Sequence, residues 1–122
     1  MDRISFVKLI NDSGEEMEVH VLYDKSFLDS SNVPSYEGYL KQQGTGGQSY
    51  LVSISTNDLT VKYRIPKDGT IDLSRHFNSG PDLQKILKVA TYSHSGRNEY
   101  SRDTIVKTII KKGSGVWEWH VK

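Results

Sequence analysis

The sequence predicts an all-β domain: a two-sheet β-sandwich of six to eight strands with one or two short helices. Two observations carry that expectation. The 122 residues include one alanine against ten valines, nine isoleucines, seven threonines and seven tyrosines. The best helix former is therefore nearly absent, while residues that suit a pleated surface abound. The second observation is periodicity, because apolar side chains recur at every second position in short runs separated by turn-forming residues. A partly open barrel or an α+β arrangement is the alternative the same pattern admits. The length suits one hydrophobic core and one domain spanning 1–122.

Taken in order, Ile4 to Ile10 reads as a strand of low contrast, and Asn11-Asp12-Ser13-Gly14 as a turn joining it in a hairpin to the next run. That run, Met17 to Tyr23, places apolar residues at every odd position and turns Glu18 and His20 away. Asp24 to Ser35 is rich in Ser, Asp and Asn and reads as a long surface loop, and Gly44-Thr45-Gly46-Gly47 as a flexible hairpin loop. Tyr50 to Thr56 is a second low-contrast strand, linked through Asn57-Asp58 to Leu59–Ile65, which alternates without a fault. Pro66-Lys67-Asp68-Gly69 is a strong turn.

Two stretches resist the strand pattern. From Pro81 to Ala90, Leu83, Ile86, Leu87 and Ala90 have helical spacing with Pro81 in the first turn, although Leu87 to Tyr92 fits an extended strand equally. From Ser101 to Lys112, Ile105, Val106, Ile109 and Ile110 share one side of a short helix, opposite the lysines, although Ile, Val and Thr are poor helix formers and Thr104 to Ile110 also fits a strand. Ser101 caps its start and Asp103 suits its positive end. Lys112-Gly113-Ser114-Gly115 then turns into a final strand, Val116–Val121, with Trp117, Trp119 and Val121 on one side.

Composition also narrows function. Sixteen basic against fifteen acidic side chains leave a net charge of +1, which argues against nucleic acid as a partner. With no cysteine there is neither a disulfide framework nor a thiol nucleophile. The N-terminal apolar run lacks the layout of a cleavable signal, so the expected location is the cytoplasm, or outside the cell without such a signal. No stretch approaches the eighteen apolar residues of a membrane span, which disfavours a membrane role. Asn11-Asp12-Ser13 has the form of a glycosylation sequon and is read as a turn instead.

Few patterns carry chemistry. There is no Gly-x-Ser-x-Gly elbow, and His94 lies between two serines whose side chains point away from it on an extended chain. The Gly44–Gly47 stretch lacks the lysine-hydroxyl pair of a phosphate loop. Glu18-Val19-His20 and Glu118-Trp119-His120 repeat one Glu-x-His pattern, which presents a carboxylate and an imidazole on one strand face. The four side chains could converge on zinc only if these two strands were neighbours, and the expectation is no metal and no cofactor.

Aromatic and amide residues are the better material. Tyr36, Tyr39 and Tyr50 flank Gln42, Gln43, Thr45 and Gln48, a combination suited to stacking on sugar faces and bonding hydroxyls. His94, Arg97, Asn98 and Tyr100 form a second cluster in a predicted loop. The sequence thus points to a non-catalytic binding module whose loops, at one end of the sandwich, recognise a carbohydrate or protein. Tyr36, Tyr39, Gln42, Gln48, His94, Arg97 and Tyr100 are the expected ligand-binding residues. A membrane-associating or toxin-type β protein and a small histidine-dependent hydrolase are the alternatives, and an open edge strand would allow homo-oligomers.

Overall fold

Alternation decides which way each strand faces, and the chain obeys it closely. The computed structural model describes residues 5–76 and 83–122. Strands β1 (Ser5–Asn11) and β2 (Met17–Tyr23) both bury every second residue, with Val7 and Leu9 on one and Met17, Val19 and Val21 on the other. Helices α1 (Lys25–Ser30) and α2 (Tyr36–Gly44) follow, then a 3-10 segment, Thr45–Tyr50. Strands β3 (Leu51–Ser55), β4 (Thr60–Ile65), β5 (Thr70–His76), β6 (Ile86–Ser93) and β7 (Gly96–Ser101) come next. Helix α3 (Arg102–Thr108) and strands β8 (Ile110–Gly113) and β9 (Val116–Val121) complete the order.

These strands form a two-sheet β-sandwich, with sheet orders β5-β1-β9-β8 and β3-β4-β2-β6-β7. Nine strands among the described residues exceed the six to eight expected, because the sequence pattern does not single out β5, β7 and β8. One continuous core fills the space between the sheets, including Leu9, Val19, Val61, Tyr63, Ile65, Ile71, Val89 and Trp119. Each large apolar side chain buried there stabilises by about 1.5–3 kcal/mol. The first and last strands pair in parallel at the middle of the four-stranded sheet, with Val7 opposite Trp117 and Leu9 opposite Trp119.

The turn after β1 does not make the expected hairpin, for β1 and β2 lie in different sheets. Asn11 is the reason. Its fully buried amide donates to the carbonyls of Glu15 (2.8 Å), Ile65 (3.0 Å) and Pro66 (3.1 Å), and its Oδ1 accepts from Ser13 N (3.0 Å) and Ser13 Oγ (2.6 Å). Backbone bonds from Asn11 N to Gly69 O and from Asp68 N to Asn11 O complete the corner. Two connections that cross between the sheets, β1 to β2 and β4 to β5, are thereby stitched side by side.

The long loop expected from Asp24 to Ser35 contains α1 instead. Asp24 caps it by accepting from Ser26 N and Phe27 N, and Leu28 anchors it in the core. Ser35 caps α2 through Gly38 N, and Leu40 is its buried anchor. The glycine-rich stretch is likewise no hairpin loop. Gly44 ends α2, and Gly46 and Gly47 let the 3-10 segment lie directly on β4 and β5. A Cβ on Gly47 would meet Ile71 Cγ2 at 2.6 Å and the Tyr63 ring at 2.7 Å, and one on Gly46 would strike the Asp72 carbonyl.

The helical spacing from Pro81 to Ala90 is overturned where it is described. Residues 81 and 82 lie outside the described residues, and Ile86 onward is strand. β6 is held on both sides, by β2 (Val21 opposite Val89) and by β7 (Val89 opposite Tyr100), and that pairing outweighs local spacing. The other expected helix is present as α3, with Ser101 Oγ accepting from Thr104 N and Asp103 in the first turn. Only Ile105 of its four apolar residues is fully buried. The helix stops at Thr108 and Ile109 is already extended, so the chain turns Ile110 outward while Val106 also stays exposed.

Candidate functional site

Strand register arranges the outward side chains of the five-stranded sheet in rows. The odd residues of β2 point into the core, so Glu18, His20 and Leu22 point out. Pairing sets Lys62 beside His20 on one flank and Ala90 beside it on the other, with Glu99 next to Ala90. The row toward the start of β2 reads Arg64, Glu18, Tyr92, Arg97; the row toward its end reads Thr60, Leu22, Lys88, Ser101.

The chain's single alanine thus sits among long polar neighbours, and it floors a depression of about 350 Å³. Its walls come from β2, β4, β6 and β7, with Asp58 from the β3–β4 turn. Ammonium, guanidinium, carboxylate, hydroxyl and imidazole groups all border it, and Leu22 and Tyr92 supply apolar surface. All of these positions but Asp58 are set by strands, so little ordering is required when a ligand arrives.

Charge is tightly arranged on one side. The Glu99 carboxylate takes Lys88 Nζ at 3.0 Å and Arg97 Nη2 at 2.7 Å, and these bonds hold its pKa below the usual range, Lys88 contributing most. Arg97 Nε also donates to the Tyr92 hydroxyl at 3.1 Å, and its guanidinium lies 5.6 Å from the Tyr92 ring centroid. That hydroxyl bond is the main cause raising the arginine's pKa, followed by the Glu99 carboxylate. His20 stacks against the same ring at 4.6 Å, tilted by 43°. Its Nε2 is buried and makes no hydrogen bond, although Glu18 Oε1 stands 3.2 Å away.

The residues expected to bind ligand are distributed more widely. Arg97 lines this depression. His94 occupies the β6–β7 turn, where its backbone N–H donates to the Glu15 carboxylate at 2.7 Å. Tyr100 faces the other way and packs edge-on against Trp119 at 5.1 Å. Tyr36 donates its hydroxyl to Asp29, and Tyr39 packs edge-on against Tyr23 at 5.9 Å. Gln42 lines a separate depression with Asp72 and Arg75, and Gln48 is exposed on the 3-10 segment. Gln43 is a structural link, accepting from Lys85 Nζ at 2.6 Å.

Both clusters do not share one concavity. Tyr39 touches Tyr23, the last residue of β2, whereas the turn holding His94 lies by the first, where Glu18 faces Tyr92. The two Glu-x-His patterns do not meet either, since β2 and β9 belong to different sheets. No group of three or more His, Asp or Glu side chains fit to hold a metal ion occurs among the described residues. His120 is engaged on both nitrogens, by Asp12 at 2.6 Å and Glu118 at 2.9 Å. These carboxylates, Glu118 foremost, raise its pKa above the ordinary histidine value.

Sequence reasoning missed Lys62, Lys88, Ala90 and Glu99. The outward alternation of β2 and β4 was readable, but which strands stand beside them was not. No family model, curated protein or solved structure matches the chain.

Proposed function

We propose that this protein is a non-catalytic binding module that takes a carbohydrate on the outer face of its five-stranded sheet. The observation that carries the reading is the depression floored by Ala90 and walled by groups fixed on four paired strands. Sugar hydroxyls both donate and accept hydrogen bonds, so a rim mixing carboxylates, ammonium groups and hydroxyls suits them. A protein hot spot would call for a larger apolar centre than Leu22 and the Tyr92 ring provide.

His20 and His94 line separate depressions, His20 with Asp58 and Glu99 and His94 with Glu15, Glu16 and Glu18, and a histidine beside a carboxylate is what an acid-base enzyme needs. Neither is set up for it. His20 is wedged against Tyr92 with Nε2 shielded, and His94 uses its backbone, not its ring, to engage Glu15. A protein ligand added along β7 is the second reading, because that strand lies at a sheet margin with its residues exposed or half-exposed.

Amide-resolved NMR titration with oligosaccharides tests the proposal. Shifts concentrated on β2, β4, β6 and β7 around Ala90 are the expected result. Shifts centred on Tyr36 to Gln48 would move the site to the helical side, and shifts confined to the outer edge of β7 on adding protein ligands would favour strand addition.

A further inference from the structure

The charges around the depression do not balance. Lys62, Lys88 and Arg97 face two carboxylates, Asp58 and Glu99. Glu99 serves both Lys88 and Arg97, so one carboxylate answers two cations. Asp58 accepts a long hydrogen bond from Ser55 Oγ at 3.4 Å. Glu18 does not line this depression; it opens onto the neighbouring one beside Arg64, and its Oε1 stands 3.2 Å from His20 Nε2.

Lys62 is the clearest case. It is only half-exposed, lines the depression, and has no ion-pair partner among the described residues. Its register partner across the strands is His20, whose Nε2 stands 3.2 Å from Glu18 Oε1 and offers no carboxylate to Lys62. An unpaired ammonium thus stands next to the alanine floor. Partial removal from water makes an unpaired ammonium costly, and an incoming anion would relieve that cost.

We infer that the carbohydrate carries an acidic group, a carboxylate or a sulfate, which seats over Ala90 against the ammonium of Lys62 and within reach of Lys88. The inference rests on the carbohydrate reading and deepens it. Hydroxyls of the same ligand meet Asp58, Glu99 and Tyr92. Arrival of the anion gives Lys62 the partner it lacks and lets Lys88 leave Glu99 mainly to Arg97. No covalent step is involved.

A glycan array holding neutral, uronate-bearing, sialylated and sulfated oligosaccharides, followed by titration of the hits, decides the matter. Binding confined to acidic members is the expected result, and the carboxylated and sulfated arms identify which anion is preferred. Lys62→Ala should weaken binding of an acidic hit by about tenfold or more, the scale of a hydrogen bond to a charged group. A Lys111→Ala control, on the other sheet, should leave affinity unchanged. Millimolar inorganic sulfate should compete, and added NaCl should weaken binding. Equal binding of neutral and acidic sugars, or indifference to Lys62→Ala with the melting temperature intact, overturns the acidic-ligand inference and leaves the carbohydrate reading standing. Absence of any glycan hit, with no NMR shifts on the sheet, overturns the carbohydrate reading itself.

Discussion

Asn11 shows how much one buried amide can hold. Asn11→Ala removes the side-chain donor of the Ile65 carbonyl and leaves those of Glu15 and Pro66 to Ser13 Oγ and Gly69 N, in a corner where two of the sheet crossings meet. The expected loss is about 2–4 kcal/mol, read as a lower urea midpoint with unchanged slope. Gly47→Ala acts by crowding, since its new methyl would sit 2.6 Å from Ile71 Cγ2 and 2.7 Å from the Tyr63 ring, well inside contact distance. About 1–3 kcal/mol is expected from the same measurement. His120 gives a pH signature. Its folded pKa is raised by Glu118 and Asp12, so its stabilisation is complete below the unfolded histidine value of about 6.5. That contribution disappears as pH rises through the folded pKa. Urea melts from pH 5 to 9 should show this decline in the native protein and a flatter profile in His120→Gln. At this scale little of the candidate site was legible. Arg97 stands out by its polar neighbours, although they form strand β7 and not the predicted loop, whereas Ala90 matters only through the size of neighbours on other strands.

Helix α3 depends on a cap and an anchor in different degrees. Ser101→Ala removes the acceptor for Thr104 N and should cost about 1 kcal/mol. Ile105→Ala empties a fully buried position and should cost about 2–5 kcal/mol, so thermal melts of the two variants should separate clearly. Among the elements, β2, β4 and β9 are legible because one face is buried and the other wet, which writes a period of two into the residues. Helices α1 and α2 are not. Their starts are marked by Asp24 and Ser35, the residue types that also mark turns, and each has one fully buried apolar anchor, too few for a visible stripe. Strand β5 carries its signal in Ile71 and Leu73, but Asp72 and Arg75 obscure it. For β6 the helical spacing of Leu83, Ile86, Leu87 and Ala90 is coincidental, and only pairing with β2 and β7 reveals its state.

For the whole molecule, the class of fold follows from composition and alternation, while the strand order does not. The Asn11 turn illustrates why, since a tight turn between two alternating runs looks the same whether the next strand returns to its own sheet or crosses to the other. Sheet order also sets folding behaviour. Most pairings are between distant segments, the longest joining β1 to β9, and such topology predicts refolding in milliseconds to seconds, as stopped-flow tryptophan fluorescence of Trp117 and Trp119 would show. Amide exchange should be slowest in β1, β9 and β2, which lie inside their sheets. The parallel union of β1 and β9 has one more effect, felt during synthesis. A nascent chain has already released Val7 and Leu9 from the ribosome long before their neighbours Trp117 and Trp119 are translated, so that greasy seam stays open until β9 emerges.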